Sequence, residues 1–170
     1  MGLSMGGALA LRAAAFEKRL KIVISDPGVY RWWQVVYDFI GSIDAGLIRL
    51  LDSNPRAFDE QMAAIMAVSP FVRWGIRDTI WKHGASSPSD VMLRMKAYTN
   101  EGIAERITCR ALVMDGTDDS FAQGKALFDA LTCPKDYMLF TAEDTGLAHC
   151  QVGALAVAAE RLFDWLDEQM

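Results

Sequence analysis

The chain has 170 residues, which is the length of one ordinary domain. Apolar residues make up 52% of it, charged residues 23%, and mean hydropathy is +0.12, so a disordered chain is excluded. The net charge of −5 leaves no basic footprint for nucleic acid, and no run of about 18 apolar residues is present to span a membrane.

The first sixteen residues are apolar and rich in small side chains, and Ala13-Ala14-Ala15 mimics a signal-peptidase site. A signal peptide needs a basic segment ahead of its apolar run. No charge precedes Arg12, and Arg12 lies inside the run, so residues 4–17 are read as a helix. Lys18 and Arg19 follow it and suit a helix C-terminus. Residues 20–25 (LKIVIS) are a short β-branched run closed by the turn Asp26-Pro27-Gly28, which is a strand signal.

Residues 30–105 differ in character. Trp and Met are concentrated there and no strand signal occurs. Asn54-Pro55 and Ser87-Pro88 each put a capping side chain before a proline at the first helical position. Four helices are predicted, at 30–40, 55–69, 70–82 and 88–99. Beyond them come a strand at 110–114 (RALVM), a helix at 121–131 weakened by Gly124, a strand at 137–141 (YMLFT) and an amphipathic helix at 152–169. The strands read as continuous apolar runs rather than alternations. That is the mark of strands covered on both faces, hence a parallel sheet in an α/β fold.

Chemistry enters at Gly2-Leu3-Ser4-Met5-Gly6, a G-x-S-x-G match followed by an alanine-rich helix. In such a turn the serine sits between strand and helix, and the glycines allow the chain to fold tightly without a side-chain clash. A serine needs a base, and the base needs an orienting carboxylate. Only two histidines are present. His83 ends a predicted helix and reads as an exposed helix-end residue. His149 lies after the last strand and leaves room for an acid between serine and histidine. The acid loop reads Asp115-Gly116-Thr117-Asp118-Asp119. Asp115 reads as the cap of the turn. Asp118 and Asp119 both remain candidates, with Asp119 preferred, and both could instead cap the next helix. The cysteines Cys109, Cys133 and Cys150 form no CxxC pair, which fits reduced thiols in a cytoplasm better than zinc or a disulfide framework. Cys150 adjoins His149, but neighbours in a loop rarely face one another.

The segments GLSMGG, LVMDGTDD and GLAHCQ together resemble the C-terminal portion of the α/β-hydrolase superfamily. The longer phrase FTAEDTGLAHCQVGALAVAAERLFDWLDE resembles lidded serine hydrolases related to 2,6-dihydropseudooxynicotine hydrolase. The resemblance implies a partial α/β-hydrolase fold: a core at 1–29 with the nucleophile turn, a helical lid at 30–105, and a second core segment at 106–170 with the acid and histidine loops. It implies Ser4 as nucleophile, Asp119 as orienting acid at the end of the step Gly116–Asp119, His149 as general base and acid, and the Met5 N–H as half of the oxyanion hole. It implies cleavage of an ester, an amide or a carbon–carbon bond next to a carbonyl in a small molecule, with no cofactor and no metal. The alternative is a noncatalytic remnant that binds a ligand or a partner. Trp32, Trp33, Tyr37, Phe71, Trp74 and Trp81 would supply either pocket walls or the lid's own core.

In this family the serine follows a strand of a larger sheet, whereas only Met1 precedes Gly2 here. The reading therefore expects a truncated hydrolase whose feeding strand is absent, whose serine has lost its strain and whose sheet edge beside 20–25 is unpaired. Loss of one oxyanion donor costs about 10²–10³ in turnover. The expected outcome is little or no ester hydrolysis by the 170-residue chain and a tendency to form homo-oligomers. Robust Ser4-dependent turnover by a monomer in an esterase assay would contradict this.

Overall fold

A computed structural model describes residues 1–169, which form two compact units: residues 1–31 with 99–169, and residues 32–98. The first unit is built on a four-stranded sheet in the order β1 (Gly2–Leu3), β2 (Ile22–Asp26), β3 (Arg110–Gly116), β4 (Lys135–Phe140), and all three pairings are parallel. Along β2 and β3 the side chains alternate between two cores. Val23, Ala111 and Val113 pack with Leu11, Ala14 and Ala15 of α1 (Met5–Phe16). Ile24, Leu112 and Met114 pack with Phe140 and with Ala158 and Leu162 of a C-terminal helix, Leu155–Asp167. Both faces are covered, which is why these strands read as unbroken apolar runs.

The second unit contains α2 (Trp32–Ile43), α3 (Ala45–Ser53), α4 (Pro55–Val68), α5 (Pro70–His83) and α6 (Pro88–Met95). They enclose a core that includes Ile40, Leu47, Leu51, Phe58, Met62 and Met92. Three of the helices begin at a proline behind a side-chain cap: Asn54 accepts from Ala57 N–H, Ser69 from Val72 N–H and Ser87 from Asp90 N–H. The α3 helix is not among the four expected. It starts at Ala45-Gly46 without a proline, and its only start signal is Asp44, whose carboxylate accepts from Gly46 N–H at 2.6 Å. Tyr37 is buried and meets Trp33 edge-on, so these two belong to the unit's own core. Trp32 is half-buried, while Phe71, Trp74 and Trp81 are exposed by 64%, 64% and 79% and belong to no core.

After β3 the next helix, α7, spans Gly124–Ala130 rather than starting at 121, and the C-terminal helix just given is α8. Residues 121–123 are diverted to tertiary contacts. The Gln123 side chain accepts from the N–H groups of Tyr30 (3.1 Å) and Arg31 (2.6 Å), and its own N–H donates to Gly28 O. No helix of the described residues is long and apolar enough to cross a membrane.

Asp115 is a correction to the sequence reading. It does not cap its own turn but brackets three strands from within. Its Oδ1 accepts from Gly28 N–H at 2.8 Å, just past β2, and its Oδ2 from the Tyr137 hydroxyl of β4 at 2.7 Å. A Cβ on Gly124 would stand 1.9 Å from that Oδ2, so this glycine makes room for the bracket. Tyr137→Phe removes one donor from the buried Asp115 carboxylate. The expected loss is about 1–3 kcal/mol of stability, read from urea unfolding monitored by circular dichroism.

Candidate active site

Ser4 stands between β1 and α1 with φ 54° and ψ −129°. For a residue with a Cβ this conformation costs on the order of 1–3 kcal/mol and must be held by its surroundings. Ser4 N–H donates to Asp26 O at 2.7 Å, and Gly7 N–H donates to Ser4 O at 2.9 Å. A Cβ on Gly2 would lie 1.9 Å from Gly6 O, and one on Gly7 would lie 2.6 Å from Ser25 Oγ and 2.9 Å from Pro27 O. Gly6, by contrast, faces open space. The steric argument for the motif's glycines thus holds at Gly2, fails at Gly6, and applies to Gly7 just outside the pattern. Two further expectations are corrected here. The two residues Gly2 and Leu3 do form a strand, pairing with Ser25 and Asp26 of β2, and the serine retains its strained conformation.

The acid loop and the histidine turn converge on Ser4. His149 Nε2 lies 3.0 Å from Ser4 Oγ, and its Nδ1 lies 3.0 and 2.9 Å from the two carboxylate oxygens of Asp119. A carboxylate only accepts, so it holds the ring proton on Nδ1 and leaves Nε2 free to accept from the serine hydroxyl. The Asp119 side chain is 1% exposed, and its Oδ1 also accepts from Phe121 N–H at 2.9 Å. Asp119 therefore orients the histidine and caps the turn at once. Asp118 is exposed, with its N–H donating to Leu147 O at 3.0 Å. Gly116 allows the two loops to close: a Cβ there would lie 2.3 Å from Leu147 O. The Phe121 ring meets the imidazole edge-on at 4.8 Å between centroids. Met5 is the first residue of α1, so its N–H is directed out of the helix start, where partial positive charge gathers.

His83 ends α5 in the helical unit, half-buried rather than exposed, with Nδ1 2.9 Å from Thr79 O and its ring against Tyr98. Cys150 departs from expectation. A φ of 49° turns its thiol back to 3.6 Å from His149 Nε2 and 3.3 Å from Asp26 O. Burial, with the Asp26 charge next in weight, pushes this thiol up to about 11, which keeps it protonated and a poor nucleophile. Among the described residues no group of three or more His, Cys, Asp or Glu side chains is arranged to hold a metal ion.

Two residues at the site were not among the candidates that the sequence offered. Asp26, at the end of β2, is 2% exposed, and burial pushes its carboxyl up to about 6. Gln151 is fully buried in the histidine turn. The signal for Asp26 was available: it closes a strand just as Asp115 does, at the sheet end where the other loops gather.

No family model matches the chain. In sequence it is similar to the hydrolase LUC6 of a Fusarium species, 29% identical over 182 residues, covering 98% of this chain and 42% of that protein. In structure it is similar to the α/β-hydrolase GrgF from Penicillium sp. sh18, with a TM-score of 0.55 and 18% identity over 99% of this chain and 62% of that one. The chain has an α/β-hydrolase fold. The 2,6-dihydroxy-pseudo-oxynicotine hydrolase shares the fold with a TM-score of 0.50 and 15% identity, over 88% of this chain and 33% of that one. The chain spans about two fifths of the length of the curated relatives it matches, 42% of one and 41% of another. Within this α/β-hydrolase turn the two neighbouring glycines separate cleanly. Gly6→Ala is expected to change stability by less than about 0.5 kcal/mol, whereas Gly7→Ala costs about 1–3 kcal/mol by overpacking against Pro27, both read from urea midpoints.

Proposed function

We propose that this chain carries the reacting groups of a serine hydrolase acting on a small carbonyl compound. One observation bears most of the weight: a hydroxyl, an imidazole and a carboxylate in line, with gaps of 3.0 Å and 2.9 Å, on a serine whose backbone is held strained. In this reading Ser4 Oγ attacks the substrate carbonyl while His149 Nε2 takes the hydroxyl proton. Asp119 holds the imidazole in the required tautomer and stabilises the imidazolium that forms. The carbonyl oxygen, now an anion, is met by the Met5 N–H at the start of α1. His149 returns its proton to the leaving group, and the Ser4 acyl ester remains. Water attacks that ester with the same base and releases the acid. An ester or amide loses oxygen or nitrogen in this scheme. A carbon–carbon bond breaks instead where the leaving carbanion is stabilised by a neighbouring ketone, and His149 then protonates carbon. Small-molecule specificity is assigned in this reading to the helical residues 30–105, acting as a lid, in a protein of the cytoplasm.

The supporting test is covalent and needs only one event per molecule. A fluorophosphonate probe is expected to lose fluoride and label Ser4, with no labelling of Ser4→Ala or His149→Ala. Asp119→Asn is expected to slow labelling by about 10⁴-fold, because the imidazole loses its oriented tautomer. Intact-mass spectrometry reads all three. Labelling of Ser4 that survives in His149→Ala removes the proposal, and a parent that never labels favours a noncatalytic binding role.

A further inference from the structure

Buried polar atoms lie beside the relay that the mechanism above does not use. Asp26 is 2% exposed, and its Oδ1 has no hydrogen-bond partner in the protein. Gln151 is 0% exposed, and neither of its side-chain amide atoms makes a hydrogen bond in the structure. The Gln151 amide interacts weakly with the Asp26 carboxyl and favours its charged form, in a geometry short of a well-formed hydrogen bond. Three polar atoms so weakly compensated in a protein interior are costly, and apolar residues of similar size would be cheaper. A cost of this kind, retained next to reacting groups, marks a functional requirement.

The position of Asp26 says what that requirement is. Its main-chain carbonyl accepts from Ser4 N–H at 2.7 Å and from the Cys150 thiol at 3.3 Å, so one residue touches both the nucleophile's turn and the histidine's. Gln151 follows two residues after His149, in a turn where Cys150 and Gln151 have φ of 49° and 50°. Two successive left-handed residues need support, and the Gln151 side chain is the part of the turn sunk into the interior. The ionisable groups facing the Asp26 carboxyl are Asp115 from β3, Asp119 from the acid loop, and His149 and Cys150 from the histidine turn.

We propose that Asp26 is a positioning residue of the hydrolase site: through Gln151 it fixes the turn that presents His149, and its carboxylate is a second negative charge that favours the imidazolium formed when Ser4 gives up its proton. The assignment rests on the serine-hydrolase reading. Asp119 binds the imidazole directly, while Asp26 acts through the turn and through space.

The test compares Asp26→Asn with the parent chain by the rate of fluorophosphonate labelling at Ser4 between pH 4.5 and 9. Removing the charge takes away a stabilising partner of the imidazolium. The midpoint of the acid limb is expected to fall by about one pH unit and the plateau rate about tenfold, with Asp26→Glu restoring the midpoint. Stability moves the other way. The folded parent keeps the Asp26 proton to higher pH than the unfolded chain does, so the parent loses stability as pH rises from about 4 through about 6. An amide does not titrate, so the urea midpoint of Asp26→Asn should gain on the parent's between pH 4.5 and 8. An unchanged acid limb in a labelled parent and variant overturns this proposal and leaves the hydrolase reading standing. A parent that never labels overturns both. Should the variant fail to fold, Gln151→Met decides in the same assay: a plateau rate about tenfold lower supports the positioning of His149 through Gln151, and an unchanged rate overturns it.

Discussion

The hydrogen bond from Ser4 N–H to Asp26 O, 2.7 Å long, joins the turn after the first strand to the end of the second. Without it nothing in the sheet would hold a serine at φ 54°, because β1 contributes only two residues of pairing. The same carbonyl receives the Cys150 thiol, so the end of β2 anchors both the serine turn and the histidine turn. The strain at Ser4 is small beside the burial that surrounds it. Ala8, Leu11, Ala14 and Ala15 seat α1 on the sheet and leave its first turn little freedom to relax.

Parallel pairing then does what sequence separation would seem to forbid. Every strand runs the same way, so the loops after β1, β2, β3 and β4 all leave from one end of the sheet. Ser4, Asp119 and His149 follow β1, β3 and β4, Asp26 ends β2, and the sheet itself gathers them. The finer adjustment is steric. Gly116 lets the histidine loop touch the acid loop at Leu147, and Gly124 leaves room for the Asp115 bracket that ties β3 to its neighbours.

Much of this was legible from residue order. Apolar runs bounded by turn residues marked three strands, and their lack of alternation marked a sheet with two covered faces. The dipeptides Asn54-Pro55 and Ser87-Pro88 marked helix starts that the side-chain caps bear out. With two histidines in the chain, order alone singled out His149, and the structure brings it to Ser4 and Asp119. What stayed hidden depends on contacts made far along the chain. The α7 start was misread because Gln123, a good helix former, spends its side chain on Tyr30 and Arg31. The α3 helix was missed because Gly46 dilutes its start and Asp44 alone announces it. Cys150 was expected to face away from its neighbour, and only a left-handed φ brings its sulfur back to the imidazole. Asp26 reads as a turn residue and Gln151 as the last residue of GLAHCQ, and their meaning appears only once both are found buried side by side.

Two passages of chain connect the sheet unit to the helical unit, and they run side by side. Arg31 and Thr99 form an antiparallel bridge, Asn100 N–H donates to Tyr30 O at 2.9 Å, and Arg31 pairs with Glu101 at 2.5 Å. Trp33 N–H donates to Tyr98 O at 3.3 Å just inside the helical unit. The excursion between β2 and β3 therefore begins and ends at almost the same place, and the helical unit has a core of its own. Entropically, the long detour is cheap, since closing a loop costs only (3/2)RT ln n with its length and this one is clipped at its neck. A segment with adjoining ends behaves as a cassette: evolution or an engineer can lengthen, shorten or exchange it while the parallel sheet keeps its register.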